Sequence, residues 1–217
     1  MARAKELVLA LVAIVAITGL YAAFSVTVGR PAASSFLGHT LGVIGFLLML
    51  MTETLYSLRK RALRRPWGTM RSWLQFHIFT GIVGAYLVLL HSAWSFRGLA
   101  GVLSFMTAVV VASGFVGRYI YTAVPRTADG VVIEARELQA QLALARDEVA
   151  RQTTADARQA RQARRRLREV ERQLGALRWA RRLLATWHTI HIPLGMVLFV
   201  MAFVHIGAAL YYATLLR

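Results

Sequence analysis

The sequence predicts an all-α membrane protein, with five transmembrane helices and a cytoplasmic helical hairpin between the fourth and the fifth. Three observations predict it. Hydrophobic residues make up 57% of the 217-residue chain, above the roughly one half usual in soluble domains. They fall into five unbroken runs, each close to the roughly 20 residues that cross a bilayer as a helix. Between the fourth and fifth runs, residues 131–185 change character: they are rich in Ala, Arg, Gln, Leu and Glu and contain no proline, a composition that favours helix in water.

The first span covers about residues 6–28. Arg3 and Lys5 precede it as they would precede a signal core, but its apolar stretch is longer than such a core. The second span covers about 35–57, the third about 72–94, the fourth about 99–123 and the fifth about 187–213. In the polar insertion, Leu138, Leu142 and Val149 form one apolar stripe. Leu167, Val170, Leu174 and Leu177 form a second, at helical spacings of three and four. The stretch QTTADA (152–157) between them suits a turn, which predicts two antiparallel arms; one long helix pairing with a partner is the alternative. The chain thus divides into 1–125 (spans one to four), 126–186 (the hairpin) and 187–217 (span five).

The net charge is +16, from 26 basic and 10 acidic residues, and only Lys5 and Lys60 are lysine. Arg59, Lys60, Arg61, Arg64, Arg65 and Arg71 follow the second span without an acid among them, and segment 124–186 carries many more arginines. Cytoplasmic loops carry such an excess. The expected topology has the N-terminus in the cytoplasm and the C-terminus outside, in a bacterial inner membrane. The run RQARRRLR (161–168) is a solvated helix face or a docking surface for an acidic protein or anionic lipid heads. The absence of cysteine excludes disulfides, cysteine-ligated iron–sulfur clusters and c-type haem attachment on this chain.

All six histidines (His39, His77, His91, His188, His191 and His205) fall within or beside a span. Ionisable groups in a membrane are costly and are functional candidates by default, although a lone histidine often serves only to bond a neighbouring helix. Spacing separates these readings. His77 and His91 are fourteen residues apart on the third span, and His191 and His205 are fourteen apart on the fifth. Fourteen residues return a side chain to within about 40° of the same helix face, about 21 Å further along the axis. The third and fifth spans run in the same direction, so the four residues form an inner pair, His77 with His191, and an outer pair, His91 with His205. Paired imidazoles at two depths match two b-type haems with bis-histidine ligation. Zinc would require three or four ligands close together. Gly81, Gly84 and Gly195 leave room for a flat macrocycle, or serve ordinary close packing. His188 and His39 are secondary candidates, for a propionate, a quinone or ligand replacement.

The histidine spacing resembles the transmembrane di-haem core of the ferric reductase and NADPH oxidase superfamily. The segments LGHTLGVIGFLLML, SGFVGRYIYTAVPR and WHTIHIPLG look like those of bacterial membrane cytochromes b. The resemblance covers roughly residues 35–125 and 186–213. It implies electron transfer, but the chain ends soon after its last span, so a flavin- and nicotinamide-binding domain is expected to be missing. Five spans, where that superfamily usually has six, and the long insertion before the fifth are further departures.

Other side chains complete the expectation. Arg118 and Arg97 are candidates to pair with propionates of the inner and outer haem. Trp67, Trp73 and Trp187 read as interfacial anchors. Glu53 is the one acid well inside a span, there to pair with an arginine or to move a proton. The expected function is an electron-carrying membrane cytochrome b, supplied or drained by an acidic cytoplasmic flavin or iron–sulfur protein. A quinone-reactive anchor subunit of a larger membrane complex, with Glu53 or His39 handling protons, is the first alternative. A non-redox scaffold or sensor with a docking arm is the second.

Overall fold

In a computed structural model the described residues are 4–61, 68–122, 124, 135–151 and 157–215. Their regular structure is entirely helical: α1 (Lys5–Thr27), α2 (Phe36–Arg61), α3 (Met70–His91), α4 (Gly98–Thr122), α5 (Ala135–Arg151) and α6 (Ala157–Leu215). Among the described residues, five of these six are long and apolar enough to cross a membrane; α5 is the exception. Their outward side chains fit that solvent. Leu20 is 73% exposed, Phe36 89%, Phe105 67% and Val200 63%, surfaces that water would disfavour and lipid accepts. Among the described residues the regular structure is all helical, and five of its helices are suited to a membrane.

No break in helix marks the start of the fifth span. The second arm of the hairpin and the last span are one helix, the 59-residue α6, about 88 Å of helix contour. Pro193 lies inside it. Proline has no N–H to donate to the preceding turn, so the Thr189 carbonyl loses its helical donor there, and long helices bend at such points. The same position divides the chain into two compact units: Met1–Gly114 with Pro193–Arg217, and Phe115–Ile192.

In the first unit, α2 and α3 are antiparallel neighbours and α1 runs parallel to α3. Gln75 on α3 donates to the buried Glu6 carboxylate near the start of α1 (3.3 Å), and Thr18 meets the Tyr86 hydroxyl near the other end (2.5 Å). Between these polar ties, Ala10, Val83 and Leu87 are buried together. The helix starts are local in origin. The Ser35 hydroxyl accepts from Gly38 N at the head of α2, and Thr69 accepts from Ser72 N at the head of α3, each satisfying a backbone donor that the first helical turn leaves unpaired. Phe46 on α2 meets Phe199 and Phe203 of α6 edge-on.

The second unit contains the hairpin. Leu138 of α5 is buried against Leu174, Leu177 and Ala180 of α6, with Val124 joining the cluster. Arg146 pairs with Glu171 and Arg166 with Glu148, so residue numbers rise along one arm as they fall along the other. These pairs are largely exposed and add little stability. The buried leucines, each worth about 1.5–3 kcal/mol, hold the arms together. Arg64, Arg65, Trp67 and nearly all of the QTTADA stretch lie outside the described residues.

Candidate functional site

The geometry around His77 and His91 is set by α2. His91 Nδ1–H donates to the Gly38 carbonyl (2.8 Å), and His77 Nδ1–H donates to the Thr52 carbonyl (3.1 Å). A carbonyl oxygen has no proton to give, so in both rings the proton must sit on Nδ1. In the neutral imidazole the lone pair is then on Nε2, the nitrogen that can ligate a metal.

The two bonds are copies of one arrangement. Gly38, Gly45 and Thr52 follow one another at seven-residue steps on α2, and His91, Gly84 and His77 do so in reverse on α3. The middle step is the closest approach. A Cβ on Gly45 would lie 2.7 Å from the Gly84 carbonyl oxygen, and one on Gly84 would lie 2.8 Å from that of Gly45. The two backbones can touch there only because neither residue has a side chain. Seven residues are nearly two helical turns, so each outer step repeats the facing geometry of the middle one.

This favours close packing over room for a macrocycle as the role of Gly84, since α2 fills the space beside it. Gly81 likewise faces Thr52, with its added Cβ 3.6 Å from the Thr52 methyl. Gly195 differs. It is buried, yet an added Cβ would meet no atom within 4 Å, so open space adjoins this part of α6.

His91 and His205 are both half-buried in the first unit, close enough to interact electrostatically. His39 on α2 lies beside His91, its ring centroid 6.1 Å away and its Nδ1 on the Ser35 carbonyl at 3.1 Å. Arg97 is exposed in the turn between α3 and α4.

His191 and His188 belong to the second unit. The Trp187 ring stacks on His191 (4.5 Å between centroids, 22° between planes) and lies tilted against His188 at 4.8 Å. Gly117 on α4 makes this possible, because a Cβ there would run into the Trp187 indole. Trp187, expected as an interfacial anchor, is thus packed against two candidate ligands. Arg118, next to Gly117, is half-buried.

In comparisons with family models, curated proteins and solved structures, nothing matches this chain. Its chemistry is therefore read from the residues alone. No group of three or more His, Cys, Asp or Glu side chains converges as a metal site among the described residues. A haem iron takes four ligands from the porphyrin and needs only two from the protein. His205 lies within electrostatic range of His91, and the bond to Gly38 leaves the lone pair of neutral His91 on Nε2.

Sequence reasoning missed the partners of these rings. A main-chain acceptor leaves no mark in the identity of the residue that carries it. The one available signal was the seven-residue step of Gly38, Gly45 and Thr52 on the preceding span, which mirrors that of the histidines. Glu53, expected to pair with an arginine or to move a proton, receives a hydrogen bond from Ser57 at 3.5 Å and lies within electrostatic range of His77, while the side chain of the nearby Arg59 lies outside what is described.

Proposed function

We propose that the chain is a membrane cytochrome b carrying electrons across the bilayer through two bis-histidine haems. His91 and His205 hold the outer haem, and His77 and His191 the inner. The observation that carries this reading is the paired use of α2 carbonyls by two intramembrane histidines fourteen residues apart, which assigns both the tautomer suited to iron. That His205 lies within electrostatic range of His91 supports the outer pair. The inner pair rests on the repeated fourteen-residue spacing. A haem so held supplies a one-electron Fe(III)/Fe(II) couple whose potential depends on axial ligands, hydrogen bonding and burial.

The arginine distribution supports an orientation with the N-terminus and the hairpin in the cytoplasm, and the membrane proposed is a bacterial inner membrane. Arg158, Arg161, Arg165, Arg168 and Arg172 are all exposed and recur at three- and four-residue steps on the face of α6 opposite its buried Ala163, Leu174 and Leu177. Such a face suits an acidic soluble redox protein, a flavin or iron–sulfur carrier, that gives or takes electrons there.

A second reading, that of a quinone-reactive anchor subunit in a larger membrane complex, is favoured by Glu53, a carboxyl group within electrostatic range of His77. A Glu53→Gln variant that keeps both haems but loses quinone reactivity would support it.

The deciding experiment is spectral. Protein purified from a haem-sufficient host should give the reduced-minus-oxidised spectrum of b-type haem and about two haems per chain by pyridine haemochrome assay. A colourless preparation would sink both redox readings and leave a membrane scaffold with a docking arm.

A further inference from the structure

We infer that α2 is the positioning helix for both proposed ligands on α3, and that Gly42 is the residue through which it orients His91. The inference rests on the haem reading above and extends it to residues that touch no cofactor.

The bonds from His91 to the Gly38 carbonyl and from His77 to the Thr52 carbonyl do three things to each imidazole. They fix the proton on Nδ1, they set the plane of the ring about its Cβ–Cγ bond, and they raise the basicity of Nε2 toward iron. Helical carbonyls already accept from the N–H four residues on, so each of these oxygens uses its second lone pair for the histidine. The contact therefore needs no special side chain on α2. It needs only that the ring can reach the backbone.

At His91 that reach depends on Gly42, one turn after Gly38. A Cβ at position 42 would lie 2.9 Å from His91 Cγ and 3.0 Å from both Cδ2 and Nδ1. Real Cβ atoms hardly ever come so close to neighbouring atoms, and these three belong to a planar ring with no slack of its own. The ring would have to turn or tilt, and the 2.8 Å bond to Gly38 would lengthen or break. Gly42 is thus distinct from Gly45, whose missing side chain serves the approach of the two backbones. Gly42 is a positioning residue for one ligand, and its three nearest contacts are all on His91.

The test compares wild-type protein and Gly42→Ala, both purified with haem, by low-temperature EPR of the ferric form and by optical redox titration. The expected result is that one of two low-spin signals shifts its largest g value and one of two midpoint potentials moves, while the other signal and potential stay fixed. Loss of one haem per chain with the other signal intact supports the same assignment. Two unchanged signals and two unchanged potentials overturn it. If the variant loses both haems, a wild-type measurement decides. In reduced, diamagnetic protein with ¹⁵N-labelled histidine, the axial ring N–H protons should exchange with D2O at least about tenfold more slowly than those of a bis-imidazole haem in the same detergent, as buried hydrogen-bonded protons do. Equal exchange rates overturn the inference. Should wild-type protein bind no haem, the parent reading falls by itself. The ¹⁵N shifts of His91 in that protein still report the ring: protonation at Nδ1 supports the carbonyl bond, and protonation at Nε2 refutes it.

Discussion

The hydroxyls of Thr52 and Thr80 meet 2.6 Å apart between α2 and α3, both of them buried. Each also lies 2.8 Å from a carbonyl one turn back in its own helix, Leu48 for Thr52 and Phe76 for Thr80. A hydroxyl has one proton. In any one arrangement, then, one threonine donates to the other, and the second donates to its own helix. The contact ties the two helices together beside the Thr52 carbonyl that receives His77.

Thr80→Val keeps the shape and removes the tie. Interhelical hydrogen bonds in membranes average about 0.6 kcal/mol and reach about 1.7 kcal/mol. Thr52 keeps its own carbonyl partner, so no buried hydroxyl is left unsatisfied. We expect a loss of about 1 kcal/mol in a steric-trapping unfolding assay, recovered by Thr80→Ser. A loss several times larger would mean that the hydroxyl does more than join two helices.

The Gly45–Gly84 crossing is expected to be far less tolerant. Gly84→Leu places a side chain where only 2.8 Å separates an ideal Cβ from the Gly45 carbonyl oxygen. Overpacking typically costs about 1–3 kcal/mol, and a clash with backbone has no flexible neighbour to absorb it. The histidine–carbonyl bonds flank this crossing at equal steps, so prying it open should disturb both haem signals together. Gly19→Leu on α1 is the control, since an added Cβ there meets nothing within 4 Å. Size-exclusion profiles and haem content should be normal for Gly19→Leu and depressed for Gly84→Leu.

These contrasts show what could be read in the sequence. Hydropathy and length located five long apolar helices, because a lipid-exposed helix must be apolar over most of its circumference. The hairpin arms were legible too, as Leu138, Leu174 and Leu177 are apolar residues in a polar context. The continuity of α6 was not. A change of composition looks like a boundary, yet helix can pass from water into lipid and, as at Pro193, tolerate a proline on the way. The role of Gly84 was also ambiguous, since a glycine beside a ligand has the same letter whether it faces a cofactor or another backbone. The acceptors at Gly38 and Thr52 were hidden for a related reason: every residue has a carbonyl, and only the register of α2 on α3 decides which ones meet a ring.

Trp187 gives a test of the second pair of candidate ligands. Its ring stacks on His191 and is seated over Gly117, so the orientation of His191 depends on a residue of α4. Gly117→Val should unseat the indole and disturb His191. The haem assigned to His191 should then show an altered EPR signal, with the signal assigned to His91 and His205 unchanged. Trp187→Phe, which keeps an aromatic face, is expected to perturb the same signal less. Identical spectra for all three proteins would remove Trp187 from any role beyond filling space.

The hairpin separates the contributions of packing and charge. Leu177 is 1% exposed and lies in the cluster with Leu138 and Leu174. Leu177→Ala deletes buried methyl groups and leaves a cavity, which costs about 2–5 kcal/mol. The Arg146–Glu171 pair is 63% and 46% exposed, and such pairs contribute at most about 1 kcal/mol. Hydrogen exchange across residues 135–151 is the appropriate measurement, because those amides report whether α5 stays docked on α6. Leu177→Ala should speed their exchange by one to several orders of magnitude, while Glu171→Gln should change it by less than about tenfold. The reverse ranking would mean that ion pairs rather than buried leucines hold the arms together. In that case the exchange of wild-type α5 should also rise steeply with salt, which the packing account does not predict.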